Sequence, residues 1–252
     1  MRHDLFETCI RNEDISIDFV TASAENIVCR HAENLVGCNI EESEALNELM
    51  QILPQIKSFF NAYTNIVGSQ SGSILVGPTC MSTSIHLQIK GAHATEQKIV
   101  VPELGMKGII DATLDAFVGS THSYKASQKR TGLMPLELKT GYKQEFQVEH
   151  GAQLSLYSLM IKFRNMIWPG KNQSKSKLQE AESKAVDGGV LLYLNAKDRK
   201  DYYICPSSAE VKSLIGIRNN IADALHRASQ PRAIRYFQSN NENQEDDKDP
   251  QR

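Results

Sequence analysis

Three short stretches of the chain carry residue types that can do chemistry. Asp111 closes Gly108-Ile-Ile-Asp111, Glu137 and Lys139 lie in Pro135-Leu-Glu137-Leu-Lys139-Thr-Gly141, and Gln153 and Tyr157 stand four apart in Gln153-Leu-Ser-Leu-Tyr157. Side chains alternate faces along a strand, so Glu137 and Lys139 point the same way while Leu136 and Leu138 face another layer. Asp111 has apolar neighbours, which puts a carboxylate in or near a buried layer, where it is costly unless paired or metal-bound. Two nearby carboxylates repel, and a divalent cation reconciles them. Mg²⁺ takes a few carboxylate oxygens together with water and substrate phosphate, and Asp111, Glu137 and the Leu138 carbonyl would supply the protein's share. A lysine beside such a metal orients and helps to deprotonate a water and softens charge on a phosphorane-like transition state. These are the parts needed to hydrolyse a phosphodiester.

Each piece alone also has an ordinary reading. A Glu-x-Lys pair on a strand is commonly a surface cross-pair worth about 0.2–1 kcal/mol. Asp111 read singly is a turn acid that satisfies a backbone N–H, and Gln153 with Tyr157 is polar trim on one helix face. The order is what adds specificity: Asp on one strand, Glu-x-Lys on the next after a polar loop, then a helix presenting Gln and Tyr.

Elements must position these groups. Helical spacing appears over residues 3–10 and again over 41–63, where Leu46, Leu49, Met50, Leu53, Ile56, Phe59 and Phe60 repeat and Pro54 should kink or divide the run. Residues 68–84 are rich in Gly, Ser and Thr and read as a flexible insertion. Strands are expected at 85–89, 99–101, 108–118 and 133–138, the last two joined by a polar loop over 119–132. A helix over 148–166 follows, then a Lys- and Ser-rich loop over 169–184, a buried strand at 189–194, a further strand at 202–205 and a helix over 207–227. The expected division is a helical lead-in over 1–67, the insertion, a core over 85–230 and an acidic disordered tail over 231–252.

The 252 residues include 40% hydrophobic ones, enough for one large domain with its own core. A net charge of −2 argues against a polycation that binds by bulk charge, but the average hides an uneven distribution. Residues 1–60 hold four basic against eleven acidic side chains, whereas residues 121–177 hold ten basic against three acidic. Five cysteines without a C-x-x-C pair indicate neither a disulfide framework nor a closed zinc site, so a reducing compartment is expected. No apolar run is long enough to span a bilayer, and a soluble protein is expected.

The stretches 104–111, 134–141, 149–157 with Glu149-His-Gly-Ala-Gln153, 189–194 and Ile217-Arg-Asn219 together resemble the nuclease domain of the eukaryotic DNA replication ATP-dependent helicase/nucleases, a RecB-like branch of the PD-(D/E)xK superfamily. The resemblance runs from about residue 3 to 228. It implies an α/β, restriction-endonuclease-like PD-(D/E)xK core: a mixed central sheet flanked by helices, with a helical N-terminal lead-in. His3, in a segment similar to the family's first helix, would complete a metal site with Asp111, Glu137 and Leu138. Lys139 would be the catalytic lysine beside Asp111 and Glu137, and Gln153 with Tyr157 would support the site and contact DNA. Lys107, Lys125, Lys129 and Arg130 are the cations assigned to the DNA backbone, and Tyr124, Tyr142 and Trp168 are candidate stacking partners.

The implied activity is Mg²⁺- or Mn²⁺-dependent cleavage of single-stranded or flap DNA in replication and repair, in the nucleus and also in mitochondria. A single-strand-binding protein or a helicase in trans would be its protein partner, and no membrane is implied. The family's 4Fe-4S cysteines have no counterpart here, so that cluster is expected to be absent. No phosphate-loop motif occurs in the sequence, so no helicase motor is expected. Ile109 replaces a lysine that the family places before its aspartate. Two other readings stand beside the enzyme: a truncated, catalytically weak DNA-binding or interaction module of the same family, and a related RecB-like exonuclease of mitochondria or repair.

Overall fold

The computed structural model describes residues 1–64, 72–77, 84–120, 130–141, 146–167, 186–195 and 199–229. The chain divides into two units, Met1–Pro206 and Ser207–Arg252, the second described only as far as Ser229; the tail expected over 231–252 lies outside the described residues. The unit that holds every candidate site residue begins with α1 (Arg2–Asn12), α2 (Ile17–Arg30), α3 (Ala32–Gly37), α4 (Glu42–Met50) and α5 (Leu53–Tyr63). Its sheet consists of β1 (Gly72–Val76), β2 (Ser84–Val101), β3 (Met106–Ser120), β4 (Arg130–Lys139), β5 (Gly189–Leu194) and β6 (Arg199–Ile204), with α6 (Val148–Ile167) between β4 and β5.

Helix α1 forms because Leu5, Phe6, Cys9 and Ile10 make one apolar stripe, all of it buried. Asp4 lies in its first turn and Arg11 in its last, both favourable to the helix dipole, and Glu13 ends it in the left-handed conformation at φ 54°. The stripe packs into the main core beside Phe59 and Phe60 of α5 and Leu87, Leu114, Leu136, Leu138 and Val190 of the sheet. Phe6 meets Phe59 edge-on at 5.4 Å between ring centres. Burying each such Leu or Phe contributes about 1.5–3 kcal/mol. The residues read as a helical lead-in therefore share one core with the sheet and belong to the same unit. Helices α2 and α3 escaped the periodicity reading. Pro54 falls in the first turn of α5, where its missing N–H costs nothing, and the helical run divides just ahead of it, between α4 and α5.

The mixed sheet flanked by helices is present, and it closes on itself in the order β1-β2-β3-β4-β5-β6. Strand β1 completes the closure, pairing antiparallel with β2 and parallel with β6. It corrects the reading of 68–84 as a loop throughout: Ser73-Ile-Leu-Val is strand, and Gly72 lies where a Cβ would meet the Ala62 carbonyl at 2.4 Å. The two short strands expected at 85–89 and 99–101 are one strand, β2, which stays paired with β3 across register shifts near Lys90 and His93. Strand β5, all six residues buried, pairs parallel with β4, and α6 supplies the crossover that a parallel pair needs.

In the second unit, helix α7 (Ser208–Ser229) opens on a reciprocal cap. The Glu210 N–H donates to Ser207 Oγ at 3.2 Å and the Ser207 N–H to Glu210 Oε2 at 2.7 Å, which holds the Glu210 carboxyl below its ordinary range. No described helix is long and apolar enough to cross a membrane.

Candidate active site

Asp111 is the point at which β3 parts from β4. The β3–β4 ladder runs from Val118–Arg130 to Ala112–Leu136 and stops, while β3 continues beside β2 as far as Met106. At the fork the Asp111 side chain takes over, its Oδ2 accepting the Leu138 N–H at 2.7 Å. The register on either side, Thr95 with Ala112 and Gln97 with Ile110, places Glu96 of β2 opposite Asp111. Glu96 has φ 48°, a left-handed conformation that costs a non-glycine residue about 1–2 kcal/mol.

Helix α1 lies over this row. His3 and Glu7, one turn apart, face the sheet together: His3 Nε2 is 3.1 Å from Asp111 Oδ2, and His3 Nδ1 is 2.9 Å from Glu7 Oε1 and 3.9 Å from Glu96 Oε1. One donor atom each from His3, Glu7, Glu96 and Asp111 falls within a 4.8 Å cluster. The Asp111 carboxylate foremost, and Glu7 after it, push the His3 pKa up from 6.5 to about 10, so the imidazole is charged at neutral pH. Partial burial and the Glu7 charge raise the Glu96 carboxyl.

The other half of the site lies on β4 and α6. Lys139 Nζ donates to Glu137 Oε1 and to Gln153 Oε1, the latter at 3.4 Å, and Gln153 Nε2 donates to the Tyr157 hydroxyl at 3.1 Å. The Tyr157 ring rests on Gly108 of β3, where a Cβ would stand 2.7 Å from Cε1, so only glycine leaves room for it. Glu137 is 2% exposed, and burial and then the nearby Asp111 raise its carboxyl despite Lys139.

The structure thus brings together His3, Asp111, Glu137, Leu138, Lys139, Gln153 and Tyr157 from the sequence reading. Leu138 enters through its amide, given to Asp111. Lys107 is exposed on β3, four positions before Asp111 and about 13 Å along the strand. Arg130 begins β4 opposite Val118, seven positions beyond Asp111, so on the order of 23 Å of strand separates it from the site. Lys125, Lys129, Tyr124, Tyr142 and Trp168 lie outside the described residues. Two members of the cluster, Glu7 and Glu96, were missed. Glu7 is legible in hindsight as the i+4 neighbour of His3, whereas only the strand register brings Glu96 in.

Two observations test whether a divalent cation suits this set. Glu137 Oε2 is a buried carboxylate oxygen without a hydrogen-bond partner among the described residues, and Glu7 Oε1 is buried 2.9 Å from His3 Nδ1. Hard carboxylate oxygens with one imidazole nitrogen match Mg²⁺ or Mn²⁺. The residues fit. Among the described cysteines, Cys9 is buried, with its thiol pushed up by burial, and Cys29, Cys38 and Cys205 are exposed.

Comparison with known proteins gives concordant relationships. The family described as DNA replication factor Dna2 matches residues 1–116. The DNA replication ATP-dependent helicase/nuclease JHS1 of Arabidopsis thaliana is 24% identical over 231 residues, 91% of this chain and 16% of that protein. Human DNA2, of the same description, is 26% identical over 234 residues, 90% of this chain and 20% of its own length. The Schizosaccharomyces pombe counterpart is 26% identical over 232 residues, 92% of this chain and 14% of its own. The chain therefore spans a fifth or less of the length of these relatives.

Proposed function

We propose, from its similarity to the Dna2 DNA replication factors and from the geometry of the site, that the Met1–Pro206 unit is a metal-dependent nuclease that hydrolyses phosphodiester bonds in single-stranded or flap DNA. The carrying observation is the convergence of His3, Glu7, Glu96 and Asp111 on one point beside the Glu137–Lys139–Gln153–Tyr157 chain. His3, Asp111 and Glu137, joined by Glu7 and Glu96, would hold the ion. A bound Mg²⁺ or Mn²⁺ supplies charge neutralisation and polarisation of a phosphate oxygen.

The remaining work falls to the chain's own groups. Lys139, fixed between two acceptors, presents an ammonium whose remaining hydrogen can orient a water or meet charge developing on the phosphate. Gln153 and Tyr157 hold that ammonium in place from α6, and Gly108 seats Tyr157. Asp111, by accepting the Leu138 N–H, locks β3 against β4 so that both halves stay in register. Lys107 would meet the backbone of the incoming strand. The proposed setting is replication and repair in the nucleus.

The test is cleavage of a labelled 5′ flap and a labelled single strand in Mg²⁺ by the purified chain, with Asp111→Ala and Lys139→Ala beside it. Cleavage by the wild type alone is the expected result. Equal inertness of all three proteins, with single-strand binding retained, would overturn the enzyme and leave a DNA-binding module.

A further inference from the structure

One histidine next to the proposed site has no part in the account above. His150 lies in the first turn of α6, three residues before Gln153 and seven before Tyr157, and so on the same helix face. Its Nδ1 is 2.8 Å from the Tyr193 hydroxyl, which also accepts the Gln147 N–H at 3.1 Å. Tyr193 itself is 1% exposed and stands in register with Lys139 across the β4–β5 pair, so the contact is anchored on the strand next to the catalytic lysine.

The hydrogen positions follow from what each group can do. The Gln147 amide can only donate, so the tyrosine oxygen accepts there. Its one hydrogen is then available to the nearest acceptor, the His150 Nδ1. Burial keeps the Tyr193 phenol protonated, and burial and then the neighbouring Lys139 charge lower the His150 pKa. An imidazole that accepts at Nδ1 carries its hydrogen on Nε2, and His150 is only partly buried.

The geometry points to His150 as a neutral phosphate-contact residue: its Nε2–H, oriented by Tyr193, donates to a backbone phosphate oxygen of the single strand beside Lys139. This inference rests on the nuclease reading. Tyr193 acts as a positioning residue, because without its hydroxyl the ring loses the partner that selects its tautomer. A neutral donor adds directionality next to an ammonium without adding charge, and it displaces no condensed counterion.

That last property separates the assignment from its rivals. Single-strand affinity is measured with a fluorescein-labelled oligonucleotide in Ca²⁺ across a salt series, and cleavage in Mg²⁺, for wild type, His150→Ala, His150→Gln and Tyr193→Phe. The tautomer of His150 is read at pH 7 from long-range ¹H–¹⁵N correlation spectra of histidine-labelled protein, with His150→Ala giving the assignment. The expected spectrum is the Nε2–H form in the wild type and a mixture in Tyr193→Phe. His150→Ala is expected to raise Kd and KM by about tenfold, the weight of one hydrogen bond, with kcat little changed. The slope of log Kd against log salt is expected to stay constant, and His150→Gln, which keeps an N–H donor, to retain most of the affinity.

An Nδ1–H or doubly protonated ring, unchanged affinity in His150→Ala, or a salt slope reduced by about one would each overturn the assignment. A wild type that neither binds nor cuts the oligonucleotide defeats the nuclease reading and this inference with it. A wild type that binds and cuts just as well without His150 defeats this inference alone.

Discussion

The two halves of the site are built on opposite electrostatic plans. Where α1 meets β2 and β3, three carboxylates, Glu7, Glu96 and Asp111, crowd one charged imidazole, and Glu96 adopts a left-handed backbone to join them. Where β4 meets α6, charge is matched: one ammonium, one carboxylate, one amide and one phenol are linked in sequence, with Glu137 Oε2 left over. An excess of like charge and a strained backbone are not what stability selects, and both are compatible with the divalent cation proposed for this half. The matched half instead keeps one donor, Lys139, in a fixed place. The fork at Asp111 makes both plans possible, because its carboxylate leaves the β-ladder, ties down Leu138 and faces His3 at once.

Substitutions in the two halves should therefore fail differently. The largest effect expected is on cleavage: Asp111→Ala and Lys139→Ala should each lose on the order of 10³-fold in kcat. Their metal responses should diverge. Thermal melts with and without Mg²⁺ should show stabilisation by the ion in Lys139→Ala and none in Asp111→Ala. Equal loss of the Mg²⁺ shift in both would erase the distinction between the halves.

Next comes the seat of the matched half. Gly108→Ala drives a methyl into the Tyr157 ring and should cost about 1–3 kcal/mol in urea unfolding, with a parallel drop in kcat. Adding Tyr157→Ser should restore stability without restoring kcat. Recovery of both would show that the ring only fills space.

The crowded half should show its own pH signature in metal-free protein. The His3 pKa is raised in the folded state, so the stability it contributes is fully present below pH 6.5 and is lost as pH rises through about 10. Unfolding midpoints in EDTA should fall over that window more steeply in wild type than in His3→Gln, and matching slopes would mean that His3 gains nothing from Asp111 and Glu7. The smallest effect is expected at Glu96. Glu96→Gly relieves the positive φ and removes one of three like charges, so the metal-free protein should gain about 0.5–1 kcal/mol while Mg²⁺ binds more weakly. A destabilised variant would show that Glu96 is held there by its own contacts and not for a ligand.

Legibility followed the range of the interactions. Glu137 and Lys139 were readable because strand alternation is local, and the six-residue apolar run of β5 and the stripe of α1 declared themselves by period. Strand β1 was not, since its Gly- and Ser-rich surroundings read as loop and it is held by β2 and β6 partners distant in sequence. The joining of two short apolar runs into β2 was hidden because the register shifts interrupt the alternation that a pattern depends on. Family resemblance pointed to His3, at the start of the chain, whereas its neighbours in space came from the fold.

What the sequence determined by itself is the chemistry on offer and the local shape that carries it: the Asp, the Glu-x-Lys pair, the Gln–Tyr helix face and the helices and strands beneath them. Which carboxylates gather around His3, which strand closes the sheet and which tyrosine meets His150 were decided only in three dimensions. Those outcomes depend on pairings between residues tens of positions apart, set by strand register and by the packing of α1 and α6. Neither leaves a period in the chain.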